Sequence, residues 1–300
     1  MTAAAERGRS GPTGRLLGDG RLHLQHGPID LVIEAFGEEA ERRLAYRQAW
    51  ARFQDILETL VAELPLLRRP VDETHPGFAG PVARRMLAAC RPFASTFITP
   101  MAAVAGAVAE EVLEALTAGR RLAKAYVNNG GDIALYLSSG ERLAAGLVAD
   151  ADHPALDGIA TVTAPMPVRG IATSGWRGRS FSLGIADAAT VLAAGAAAAD
   201  AAATLVANAV DLDHPAVRRS RACDLDETSD LGRRLVTVGV GPLEADAVAE
   251  ALARGAACAE AMRRAGHIYG AVLALQGEIR VVGPAALAQP EERRLARLCA

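Results

Sequence analysis

Polar and apolar residues alternate through His23-Leu24-Gln25 and again through Ile29-Asp30-Leu31-Val32-Ile33, with Gly27-Pro28 between them. A period of two broken by a Gly-Pro pair predicts two short strands joined by a turn over residues 21–36. The period then lengthens. Over residues 38–64 apolar side chains recur at Leu44, Trp50, Phe53, Ile56, Leu57 and Leu60 among charges, the spacing of one buried helical face, with Pro65 as its end. Residues 66–81 read as a Pro- and Gly-rich loop, 82–90 as a short basic helix stopped by Pro92, and 101–117 as a helix stopped at Gly119. Strands are predicted at 124–127 and 133–137 around the turn Asn128-Asn129-Gly130-Gly131-Asp132, then at 144–148, 159–163 and 170–175. Residues 187–208 read as mostly helical, 234–240 as a strand, 244–265 as a long Ala-rich helix and 270–282 as a hairpin around Gln276-Gly277. Strands and helices mix without a regular βαβ beat, so the fold class is α+β.

Composition narrows the class of protein. Of 300 residues, 51% are hydrophobic and 22% charged, with 32 basic against 35 acidic side chains, which argues against disorder and against a polyanion-binding role. No nucleic-acid partner is expected. Aromatics are only 4%, so Ala, Val and Leu must fill the core. The Ala-rich run 191–210 carries Asp200, Thr204 and Asn208, too polar at its centre for a membrane span, and reads as a buried helix. Cys90, Cys223, Cys258 and Cys299 lie far apart with no C-x-x-C pair, which points to indifferent thiols rather than a disulfide frame or a zinc site. Residues 1–20 are rich in Gly, Arg and Ser and lack an apolar secretory segment. They are expected to be flexible, with 21–300 a single domain and a cytoplasmic location.

Three segments carry candidate chemistry. Two consecutive glycines in Asn128-Asn129-Gly130-Gly131-Asp132 permit positive φ and a close approach of backbone N–H groups to a ligand, although a plain hairpin explains the same residues. Thr173-Ser174-Gly175-Trp176-Arg177-Gly178-Arg179-Ser180-Phe181-Ser182 offers hydroxyls, amides and two guanidinium groups, a set suited to phosphate, or else a solvated loop. Asp200 and Thr204 stand one turn apart on an alanine surface. A carboxylate buried there needs an Arg, backbone donors or a cation, and oxygen ligands of this kind suit Mg²⁺. Asp187 reads as a helix N-cap. His153 and His214 each precede Pro in loops and read as surface residues.

In this order the segments resemble the FAD:protein FMN transferase superfamily, the ApbE-like proteins, over roughly the last two-thirds of the chain. Gly106-Ala107-Val108-Ala109-Glu110 is similar to the family's Gly-Ala-Ile-Ala-Lys helix, and Val127 with the following hairpin to its Val-Asn-x-Gly-Gly-Asp-Ile turn. Ala172-Thr173-Ser174-Gly175 matches its Thr-Ser-Gly strand end. Ala189-Thr190-Val191-Leu192-Ala193, Ala199-Asp200-Ala201 and Thr204 resemble its Val-Thr-Val-Ile-Ala and Ala-Asp-Ala-x-x-Thr helix. The family's His-Ile-Ile-Asp-Pro stretch has no counterpart, since residues 178–188 hold no histidine, and Glu110 stands where the family has Lys. The resemblance implies a divergent branch with tunnelling-fold-like antiparallel sheets, a pair in the family's core, packed against helices. It implies FAD or FMN as ligand and Mg²⁺ held by Asp200, Thr204 and the Ala107 carbonyl. The nucleotide would lie on Asn128, Asn129, Gly130, Gly131, Asp132, Thr173, Ser174, Gly175, Arg177, Arg179, Ser180 and Ser182, with Asp187 in place of the missing histidine base. FAD pyrophosphate cleavage, FMN transfer to an acceptor protein, and a non-catalytic binding or assembly role are the activities it leaves open, with self-association into a homo-oligomer alongside them.

Overall fold

The structure, a computed structural model, describes residues 11–147 and 158–284. The chain begins with an antiparallel meander of β1 (Thr13–Leu16), β2 (Leu22–His26) and β3 (Ile29–Gly37). Alternation in β3 turns Ile29, Leu31, Ile33 and Ala35 inward, as the period-two pattern requires. The strand β1 lies within the stretch expected to be flexible; it is held by its ladder to β2.

Helices α1 (Glu39–Phe53), α2 (Ile56–Ala62) and α3 (Leu64–Leu67) replace the one long helix expected over 38–64. The backbone leaves helical geometry at Asp55 (φ −117°) and Glu63 (φ −103°). Pro65 does not end a helix; it sits in the first turn of α3, where its missing N–H has no partner to lose. The breaks rotate the buried stripe, which runs through Ala45, Ala49, Phe53, Ile56, Leu60 and Leu67, while Leu44 is 41% exposed. Next come α4 (Pro81–Cys90), a 3₁₀ turn at Pro100–Ala103, and α5 (Val104–Thr117).

Then β4 (Leu122–Asn129) and β5 (Asp132–Leu137) form the predicted hairpin, followed by β6 (Arg142–Leu147) and β7 (Gly158–Thr163). β8 (Gly170–Ser174) and β9 (Ala188–Ala193) are antiparallel neighbours. The helical expectation for 187–208 therefore holds only from α6 (Ala196–Ala209) onward, and residues 191–193 of the Ala-rich run are strand. Every residue of β9 is buried, so Ala188-Ala189-Thr190-Val191-Leu192-Ala193 shows neither a two-fold nor a 3.6-fold period. β10 (Val217–Arg221), a short α7 (Ala222–Leu225), β11 (Leu235–Val240), α8 (Ala245–Arg264), β12 (Gly270–Leu275) and β13 (Glu278–Val282) complete the chain.

Nine strands form one antiparallel sheet in the order β1-β2-β3-β4-β5-β8-β9-β12-β13, so the pair of sheets expected from the resemblance is a single continuous one. Two ribbons, β6–β7 and β10–β11, stand apart from it. Helices α1, α5, α6 and α8 bury the larger core against one face. The β6–β7 ribbon closes a smaller core of Leu135, Val162, Val168, Ile171 and Leu192 on the other. Among the described residues no helix is long and apolar enough to cross a membrane.

Candidate functional site

Two helices meet at their N-terminal ends in the middle of the molecule. A Cβ on Gly106 of α5 would fall 2.2 Å from the carbonyl oxygen of Ala196 in α6, so only glycine permits this crossing. The free amides at both ends are satisfied reciprocally. Asp200 of α6 accepts the Gly106 N–H at 3.0 Å, and Glu110 of α5 accepts the Ala197 N–H at 3.0 Å. Arg85 donates to the second Glu110 oxygen at 3.0 Å. This is the structural use of the acid that stands where the family has Lys: it caps α6.

The Asn128 to Asp132 hairpin ends beside that crossing. Gly130 (φ 64°) and Gly131 (φ 114°) make the turn, and Asn128 Oδ1 accepts the Gly131 N–H at 2.8 Å. Asn129 is buried and its amide donates to the Ala105 carbonyl at 3.1 Å, tying the hairpin to the start of α5. Asp132 is also buried; its Oδ1 accepts the Thr173 N–H at 3.1 Å. Its carboxyl is pushed up to about 7 by burial, against the opposing pull of the Thr173 amide. Asp200 is raised well above the ordinary carboxylate range, by burial first and then by the charge of Asp132, while the Gly106 and Ala105 amides oppose the rise. Buried Asp132 and half-buried Asp200 thus lie close enough for the charge of Asp132 to act on Asp200. Like charges so placed share a proton or a cation. The Cys90 thiol, which donates to the Thr99 carbonyl, is likewise raised by burial and by Asp200.

Thr204 follows Asp200 by one turn on the same face of α6. Ala107 is fully buried as the fourth residue of α5, where its carbonyl belongs to the helical ladder. The carbonyl that a side chain reaches at this end is that of Ala105. Among the described residues no group of three or more His, Cys, Asp or Glu side chains is placed to hold a metal ion.

The segment after β8 divides between the site and the scaffold. Arg179 is exposed and its guanidinium lies 3.9 Å from where a Gly130 Cβ would be, so the turn and this loop do converge. Ser180 is exposed next to it, Ser174 is half-buried, and the Thr173 hydroxyl shares a 2.8 Å hydrogen bond with that of Thr190. Gly175 is buried against the Asp187 carbonyl. Ser182, expected at the ligand, is buried instead and bonds Asn208 and the Gly184 N–H.

Asp187 is not a helix N-cap, because a strand follows it. Nor is it placed as a free base: Oδ1 accepts from Trp176 Nε1 and Arg177 Nε, each at 3.0 Å, and Oδ2 accepts the Gln276 N–H at 2.6 Å. Arg177 stacks on the Trp176 ring 4.7 Å from its centroid. These bonds make Asp187 an anchor that ties the loop to the β12–β13 turn.

Of the histidines, His214 accepts the Ala216 N–H and pairs with exposed Glu244, and His153 lies outside the described residues. An open groove of about 370 Å³ beside Glu110 is lined by Arg85, Tyr136 and Arg169. Its guanidinium groups are engaged, Arg85 by Glu110, Glu111 and Glu114, Arg169 by the carbonyls of Ala164, Met166 and Val168. Sequence reasoning missed this network and the pairing of Asp132 with Asp200; the only signal was an acid at each position of two separate motifs.

Fold and site together define a mixed antiparallel-sheet and helix protein with two neighbouring carboxyl groups, Asp132 and Asp200, where two helix N-termini cross. The family model described as AbpE bacteria matches residues 14–281, and the chain belongs to that family and to the ApbE-like superfamily. A UPF0280 protein of Methanosphaerula palustris is 35% identical over 169 residues, spanning 53% of this chain and 68% of its own. Another, from Methanothrix thermoacetophila, is 38% identical over 136 residues, 41% of this chain and 47% of its own. Among solved structures, a histidine variant of flavin transferase ApbE from Vibrio cholerae superposes with a TM-score of 0.47 at 11% identity, over 89% of this chain and 98% of that one. The apo flavinyl transferase ApbE of Pseudomonas stutzeri gives 0.41 at 12% identity, over 92% and 94%.

Proposed function

We propose that this protein binds a flavin nucleotide, FAD or FMN, together with Mg²⁺ at the crossing of α5 and α6. The observation that carries the reading is the juxtaposition of buried Asp132 and half-buried Asp200, where the charge of one raises the carboxyl of the other and a divalent cation would relieve it. The donor set fits magnesium: two carboxylates and the Thr204 hydroxyl, the remaining positions going to water and ligand phosphate, as Mg²⁺ prefers. Bound there, the ion would neutralise pyrophosphate charge and polarise a phosphoryl oxygen. The chain's own residues have distinct parts. Gly130 and Gly131 leave the turn open to a phosphate, Arg179 supplies a charge-assisted bond beside it, and Asp187 holds Trp176 and Arg177 in place.

Pyrophosphate cleavage of FAD, or FMN transfer to an acceptor, is the reaction this arrangement suits. A non-catalytic binding protein is the second reading, favoured because Asp187 is tied to three donors and residues 178–188 contain no histidine. The test is the absorption spectrum and mass of ligand released from purified protein, followed by FAD incubation with and without Mg²⁺. Released flavin with FMN or AMP formed only with Mg²⁺ supports the enzyme; flavin without turnover supports the second reading; failure to bind any flavin overturns both.

A further inference from the structure

Among the described residues β13 is the last strand of the sheet, so its outer row of N–H and C=O groups faces no other strand. Proteins blunt such edges with bulges, prolines, very short strands or charged side chains. β13 has neither bulge nor proline, and its two exposed charges, Glu278 and Arg280, are of opposite sign; it pairs with β12 in unbroken register from Glu278 opposite Leu275 to Val282 opposite Ala271. Val282 points into the helix-side core beneath α8. By alternation Ile279 and Val281 point the other way, and they are 47% and 36% exposed.

The hydrogen-bonding phase of this edge follows from the turn. Gln276 and Gly277, at φ 48° and 86°, form a two-residue hairpin, so Leu275 and Glu278 close it as a hydrogen-bonded pair. The backbone groups of Glu278, Arg280 and Val282 therefore face β12, while those of Ile279 and Val281 face outward. We propose that this edge pairs antiparallel with the same edge of a second copy of the chain, about a two-fold axis through Ile279. In that register each Glu278 lies opposite Arg280 of the second copy and the two Ile279 side chains touch. The next register, centred on Arg280, sets two arginines opposite one another, and one centred on Val281 pairs no charges. The edge is thus self-complementary in one isologous arrangement, which extends the sheet across the pair. Five residues a side bury less than the ~1,000 Å² of a stable interface, so association is concentration-dependent.

Sedimentation equilibrium of the full chain from low micromolar to millimolar concentration tests this. The mass is expected to rise toward twice that of one chain. Ile279→Pro removes an outward N–H without touching the β12 ladder and should hold the protein monomeric. Glu278→Arg or Arg280→Glu alone should weaken association about fivefold, through two like-charge pairs, while the double exchange restores it. Both charged side chains are exposed, so these variants test the interface without disturbing the core. A monomer at every concentration overturns the proposal and leaves the edge to residues 285–300 of the same chain. So does an Ile279→Pro protein that associates as well as the parent, or a double exchange no better than either single.

Discussion

The carboxyl of Asp132 is buried and raised to about 7, and that of Asp200 is raised with it, because burial favours the protonated form of each and the charge of Asp132 adds to the rise at Asp200. An acid whose folded value lies above its unfolded one, near 3.8, keeps its proton in the folded state after the unfolded chain has released it. Folding therefore takes up protons between about pH 4 and 7, and stability falls as pH rises through that window. The slope contributed is up to about 1.4 kcal/mol per pH unit. Urea unfolding between pH 4.5 and 7.5 should show this decline, and Asp132→Asn should flatten it; an unchanged slope would locate the proton elsewhere. Asp200→Asn sheds the charge while its amide oxygen still accepts the Gly106 N–H, so ligand-free stability at pH 7 should be equal or higher. Saturating Mg²⁺ with FAD should raise the melting temperature of the parent, where an excess of 1,000 Kd is worth about 4 kcal/mol, and leave the variant unmoved. Identical shifts in both proteins would remove the cation from Asp200.

The crossing of α5 and α6 is the element on which the site depends. Gly106→Ala drives a methyl into the Ala196 carbonyl, backbone against helix backbone, so neither side yields cheaply. A loss of about 3 kcal/mol in chemical denaturation is expected; unaltered stability would mean that the two helices part easily. At the hairpin, Gly131→Val meets no neighbouring atom but places a β-branched residue at φ 114°, a strain of about 1–3 kcal/mol. Arg179 is exposed, so Arg179→Ala should leave stability within about 0.5 kcal/mol while weakening FAD binding roughly tenfold in fluorescence titration. Equal affinity would detach this loop from the ligand. The hairpin and the loop after β8 were both legible in the chain because turns announce themselves through Gly and Asn. Ser182 and Asp187 were misread because their partners, Asn208 and the Gln276 amide, lie on other elements.

At the scale of the whole molecule, the described histidines are spent on local contacts. His23 pairs with Asp30, buried His26 pairs with Glu58 through Nε2 while its Nδ1 has no hydrogen-bond partner, His75 bonds the carbonyls of Leu66 and Pro76, His214 pairs with Glu244 and His267 meets Phe93 edge-on. Any turnover of FAD should therefore survive His214→Ala and His153→Ala with kcat unchanged within about twofold; its abolition, with binding and folding intact, would assign a base that this fold does not otherwise supply.

Local physics was readable without the fold: β2, β3 and the β12–β13 hairpin follow from alternation and turn residues, and α8 from its long Ala-rich composition. Its motifs also placed an acid and a hydroxyl one turn apart on α6. Only the tertiary structure decided that β9 is a strand, because burial on both faces erases the period that would mark it. Only it brought Asp132 to Asp200, since their approach depends on Gly106 letting two helix ends cross beside a hairpin distant in the chain, and no pattern within either segment records that contact.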